Sequence, residues 1–106
     1  HFHVITQETL KTEMVSAELD AGYSYLKSQI SQYPSAVVGQ SEDTAQNIVQ
    51  LWEQRREILE KINGQIEKIH VDFREEILKK YNEVKKKIDW LFSAFEDGLP
   101  GYNNSV

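Results

Sequence analysis

The chain has no cysteine, and only two prolines and five glycines in 106 residues. Without cysteine there are no disulfide staples, no thiolate metal ligands and no cysteine nucleophile. With so few prolines and glycines, long stretches are free to hold regular structure, because these residues break it most often. Long apolar runs are also missing, and none approaches the ~20 residues of a membrane span. Positive charge is the minority sign: 12 Lys and Arg stand against 17 Asp and Glu, a net charge of −5. A general nucleic-acid binder needs a net basic footprint to release counterions, so that class is set aside. No zincin HExxH, nucleophile elbow, phosphate-binding P-loop or EF-hand loop occurs. Ser/His/Asp chemistry would also need a preorganised oxyanion hole, and nothing in the chain suggests one. The expectation is a protein that is not an enzyme and holds neither cofactor nor metal.

What the chain does have is an apolar seam. Ala45, Ile48, Trp52, Arg55, Leu59, Ile62, Ile66, Ile69, Phe73, Ile77, Tyr81, Val84, Ile88, Leu91 and Phe95 follow one another at steps of three and four residues. That is a helical period, not a strand period. Leu51, Ile58 and Ile62 widen the face. Asp97-Gly98-Leu99-Pro100-Gly101 stops it. At 40% hydrophobic and 27% charged the composition is globular. One domain, 1–106, is expected, with 1–5 as a leader and 98–106 as a flexible tail. A chain this short buries only roughly two-thirds of its unfolded surface, so its core must be efficient.

Thr6 is a plausible N-cap, and a first helix should run from it towards Tyr33-Pro34, where proline pushes the preceding residue out of the helical region. This helix carries two apolar stripes. One is Leu10, Met14, Ala17, Ala21 and Tyr25; the other is Val15, Leu19, Gly22, Leu26, Ile30 and Tyr33. Two stripes predict two neighbours. Gly22 offers either a close backbone approach or a bend. After a loop at 34–40, Ser41 should cap the second helix, with Glu42 and Asp43 in its first turn, where the helix dipole favours acids.

The long segment has two places to break. Asn63-Gly64 is a turn dipeptide, yet the seam keeps phase across it. Between Ile69 and Ile77 two four-residue steps follow each other, and Asp72 with Glu75 could form a capping box there. A break at 69–72 gives helices of nearly equal length, whereas an unbroken helix would be roughly 80 Å long and need a dimer partner. The expected fold is all-α: a compact bundle of three or four antiparallel helices with one long C-terminal amphipathic segment.

The start at His1-Phe2-His3, with no Met, reads either as a processed chain, which loss of a signal peptide would explain, or as a trimmed one. Asn103-Asn104-Ser105 is an N-glycosylation sequon at Asn103, a second pointer to secretion. The missing cysteine pulls towards a reducing compartment, but a packed helical bundle can dispense with disulfides. The expected location is extracellular.

His1 and His3 with a free amine have the donor set for Cu(II) or Ni(II), but read more simply as an unengaged terminus. His70 reads as a helix-surface residue. The carboxylates are interspersed with Lys and Arg, the pattern of solvated i,i+4 pairs. Lys79, Lys80, Lys85, Lys86 and Lys87 are the densest positive cluster. Trp90 lies off the seam beside Lys86 and Lys87, either packed on another helix or exposed as a contact residue. Aromatic anchors are what binding surfaces use. Trp90, Lys86 and Lys87 are therefore the first candidate partner-binding patch. Val37 and Val38, in an apolar loop, are the second. Three functions remain: a secreted protein-binding module, a carrier of a lipid or small apolar ligand between its helices, and a coiled-coil assembly subunit.

A cysteine-free, acidic, helical chain of this size opening on His1-Phe2-His3-Val4-Ile5 resembles the small salivary proteins of blood-feeding anopheline mosquitoes. Some of these inhibit the alternative pathway of complement by binding its convertase. The likeness covers size, helicity and missing cysteine across the whole chain, and assigns no residue a role. Other secreted invertebrate helical proteins, such as the helical mite allergens, are similar in the same respects. The resemblance implies a salivary inhibitor whose partner is a host protein or complex, the complement convertase among them. The expected state is a monomer, with a dimer as the alternative, no membrane span and no nucleic acid.

Overall fold

A computed structural model describes the backbone of residues 2–32 and 42–97 and the side chains of residues 5–32 and 46–96. Among these residues the chain is all-α, with three helices and no strand: α1 (Phe2–Ser31), α2 (Glu42–Glu67) and α3 (Glu75–Asp97). A single 3-10 turn, Val71–Phe73, joins α2 to α3. None of the described helices is long and apolar enough to cross a membrane. The molecule is elongated, 59 × 22 × 16 Å.

The helices form where the apolar period predicts them, and three details define their ends and continuity. First, α1 starts at Phe2, four residues before Thr6. Threonines in this stretch hydrogen-bond back into the helix instead of capping it: Thr9 donates to the Ile5 carbonyl at 2.8 Å and Thr12 to the Glu8 carbonyl at 2.9 Å. Second, Asn63-Gly64 lies inside α2, as the unbroken phase of the seam implies. Third, the chain breaks at 68–74, but not through an Asp72–Glu75 capping box. The His70 Nδ1 accepts the Asp72 N–H at 3.2 Å and caps the 3-10 turn, and α3 begins two residues beyond that turn. Arg74 then closes the end of α2. Its guanidinium donates to the carbonyls of Ile69 at 2.7 Å and Glu67 at 2.6 Å, two acceptors that the helix end leaves without intrahelical donors.

The core takes Val15, Leu19, Leu26 and Ile30 from α1, Leu51, Ile62 and Ile66 from α2, Ile69 from the corner, and Ile77, Val84, Ile88 and Phe92 from α3. α1 packs along both other helices, while α2 and α3 touch each other less. Gly22 makes one of these approaches possible: a Cβ there would lie 2.8 Å from the Ile58 Cγ2. Glu8 is the one charged residue buried among the described residues. Its carboxylate accepts the His70 N–H at 2.8 Å and Lys11 Nζ at 3.0 Å, pinning the start of α1 to the α2–α3 corner. Those two hydrogen bonds hold its pKa below the ordinary carboxylate value.

The seam assignment is corrected at two aromatics. Trp52 is not a core residue: it is 41% exposed. Phe92, off the predicted seam, is among the largest fully buried side chains. α3 faces two helices, so its buried face is wider than one seam and takes in Phe92. Phe73 is half-buried and packs at the margin of the core.

Candidate functional site

The charged residues of α3 do not form one patch. Lys80 is drawn to α1, where it bonds the Ser16 hydroxyl and pairs with Asp20 at 2.9 Å. Lys87 Nζ lies 4.6 Å from the centre of the Tyr23 ring, a cation–π contact with α1. Lys85 lines a groove on the α2 side. Lys79 and Lys86 are exposed. The cluster that looks continuous in sequence is split because successive residues on a helix point about 100° apart.

Trp90 is the most exposed large hydrophobic side chain described, at 72%. Lys86 stands one turn before it on the same outward face, and Lys87 at the edge of that face, engaged by Tyr23. Val37, Val38 and Asn103 lie outside the described residues, as do His1 and the side chain of His3. His70 is exposed, with its ring nitrogen used in the turn and 3.5 Å from the Asp72 carboxylate. Among the described residues no group of three or more His, Asp or Glu is placed to hold a metal ion.

The structure adds two surfaces. The first is the outer face of α1. The Leu10, Met14, Ala17, Ala21, Tyr25 stripe, expected to meet a neighbouring helix, is exposed, with Met14 at 66%. Both neighbours pack on the other stripe, so two apolar stripes did not mean one neighbour each.

The second surface is a groove of about 670 Å³ between α2 and α3. Ile48, Val49, Trp52, Leu59 and Tyr81 supply its apolar lining. Its floor is organised around Arg55, whose guanidinium lies 4.4 Å from the Trp52 ring centre and 4.9 Å from that of Phe92. Arg55 also pairs with Asp89. Burial lowers the pKa of Arg55 and the charge of Glu96 opposes the shift, so the guanidinium stays charged. The Trp52 indole N–H donates to Glu96 at 2.7 Å, and its ring meets Phe92 edge-on at 5.1 Å. Trp52 is thus fixed in orientation while remaining half-exposed. Tyr81 donates to the Leu59 carbonyl at 3.5 Å, and burial raises its pKa. The sequence signal for this groove was Trp52 and Arg55 both falling on the seam: a charged residue there points to a seam that is not sealed.

Comparison with family models, curated proteins and solved structures returns no match.

Proposed function

We propose that this chain is a secreted, non-enzymatic binding protein that blocks or traps a host protein complex, with the alternative-pathway convertase of complement as the first partner to test. The observation that carries this reading is Trp90, held out from a helix at 72% exposure. Tryptophan is among the residues most enriched in binding hot spots, and Lys86 and Lys87 beside it give the patch a polar edge. The proposed scaffold is an up-down-up bundle acting as a monomer, with α2 antiparallel to α1 and to α3, and with α1 and α3 parallel. It is supported by the pairing of Gly22 with Ile58 across α1 and α2, Asp20 with Lys80 across α1 and α3, and Arg55 with Asp89 across α2 and α3. Such a scaffold orders its contact residues before association, which lowers the entropy cost of binding. The glycosylation at Asn103 and the secondary contact at Val37 and Val38 belong to the same proposal.

The test is affinity capture from host plasma with mass-spectrometric identification, repeated with Trp90→Ala. Retention of a complement component that weakens by more than ~2 kcal/mol in the variant supports the patch. Equal retention by a folded variant removes it. The groove between α2 and α3 favours a second reading, a carrier of a small apolar ligand, because its size and lining are those of ligand sites between helices. The coiled-coil subunit reading would have to use the separate helices, since the chain turns at 68–74 instead of continuing as one helix.

A further inference from the structure

Resting on the carrier reading of the α2–α3 groove, we propose its ligand class: a single-chain amphiphile with an acidic head group, such as a medium-length fatty acid. The groove has an apolar end and a charged middle. Ile48, Val49 and Trp52 form an apolar stretch, and Arg56 and Lys85 follow further along the lining. The α2 lining runs from Ile48 to Asn63, about 22 Å at the helical rise, and its stretch from Ile48 to Arg56, about 12 Å, is a length for a medium acyl chain.

The charges favour an acid head. Arg55 is committed to Asp89. On the α2 wall Glu53 and Glu60 stand three and four residues from Arg56, so that wall is mixed in charge. On the α3 wall the lining residues are Tyr81 and Lys85, with no acid. Lys85 has no ion pair among the described residues, and Asp89, the acid one turn along its helix, is held by Arg55. Lys85 is therefore the exposed cation of the lining that has no acid on its own wall. A carboxylate there would gain a charge-assisted contact while its chain covers the exposed part of Trp52 and Val49.

The two tryptophans allow a direct test. In a Trp90→Phe background, Trp52 alone reports on the groove. Decanoate, used below its micelle concentration, should change Trp52 emission saturably, and decanol should do so more weakly. Lys85→Gln, at an exposed position that leaves far-UV circular dichroism unchanged, should weaken decanoate binding about fivefold and leave decanol unaffected. Equal effects of Lys85→Gln on both compounds would overturn the acid-head assignment while leaving an apolar groove. No saturable response to either compound would overturn the groove as a ligand site, and with it the carrier reading.

Discussion

Two helical glycines should respond differently to the same substitution. Gly22 sits in the interior of α1 and Gly64 in the last turn of α2. Replacing a helical glycine with alanine gains up to about 1 kcal/mol by restricting the unfolded chain and restoring helix propensity. At Gly64 nothing lies within 4 Å of the added methyl, so Gly64→Ala should keep most of that gain. At Gly22 the methyl would sit 2.8 Å from the Ile58 Cγ2, closer than two carbons tolerate. That atom is bonded directly to the Ile58 Cβ, and a β-branched side chain in a helix has essentially one χ1 well, so relief requires α1 and α2 to move apart. Overpacking of this kind costs about 1–3 kcal/mol. The net for Gly22→Ala is roughly zero to 2 kcal/mol destabilising, and the two variants should differ by about 1–3 kcal/mol. Urea denaturation followed by circular dichroism would measure it. Ile58→Ala removes the clashing atom, so Gly22→Ala in that background should become neutral or stabilising, a coupling that a double-mutant cycle reads directly. If Gly22→Ala stabilised the protein as much as Gly64→Ala does, the close α1–α2 approach would be refuted.

Other expectations follow from single contacts. Glu8 has a folded pKa below its ordinary 4.5, so its contribution is complete above the unfolded value and lost as pH falls through the folded one. Acid titration of stability should therefore show a loss beginning near pH 4.5 that Glu8→Gln flattens, and an unchanged slope would detach Glu8 from the corner. Arg74→Ala should cost about 1–3 kcal/mol by orphaning the carbonyls of Glu67 and Ile69, with partial rescue by Arg74→Lys, which can reach one of them. Phe92→Ala should cost on the order of 3–5 kcal/mol and Trp52→Ala clearly less, an order that thermal unfolding would check. Trp90→Ala should leave unfolding within about 0.5 kcal/mol of the parent chain.

The helices were legible because a three-and-four step is a local property of the chain, and the burial of Ile62, Ile66, Ile77, Val84 and Ile88 follows from it. Even the survival of α2 through Asn63-Gly64 could be read, since a turn would have reset the phase. What could not be read is where a face is in excess. α1 offers two stripes of similar polarity, and only the number and placement of the other helices decides that Leu19 is buried while Met14 is exposed. On α3 the same ignorance works in reverse. A single seam selects Leu91 and Phe95, whereas two neighbours bury Phe92, one position away. Trp52 unites the two errors. Its period places it in the core, but α2 and α3 touch each other sparingly, and the space left between them is the groove. Arg55, three residues on, was the available sign: a guanidinium needs a carboxylate or water, so its place on an apolar seam marks an opening. The outer face of α1 and the α2–α3 groove lie where the periodic rule buries more than three helices can cover, whereas Trp90 stands off the seam altogether.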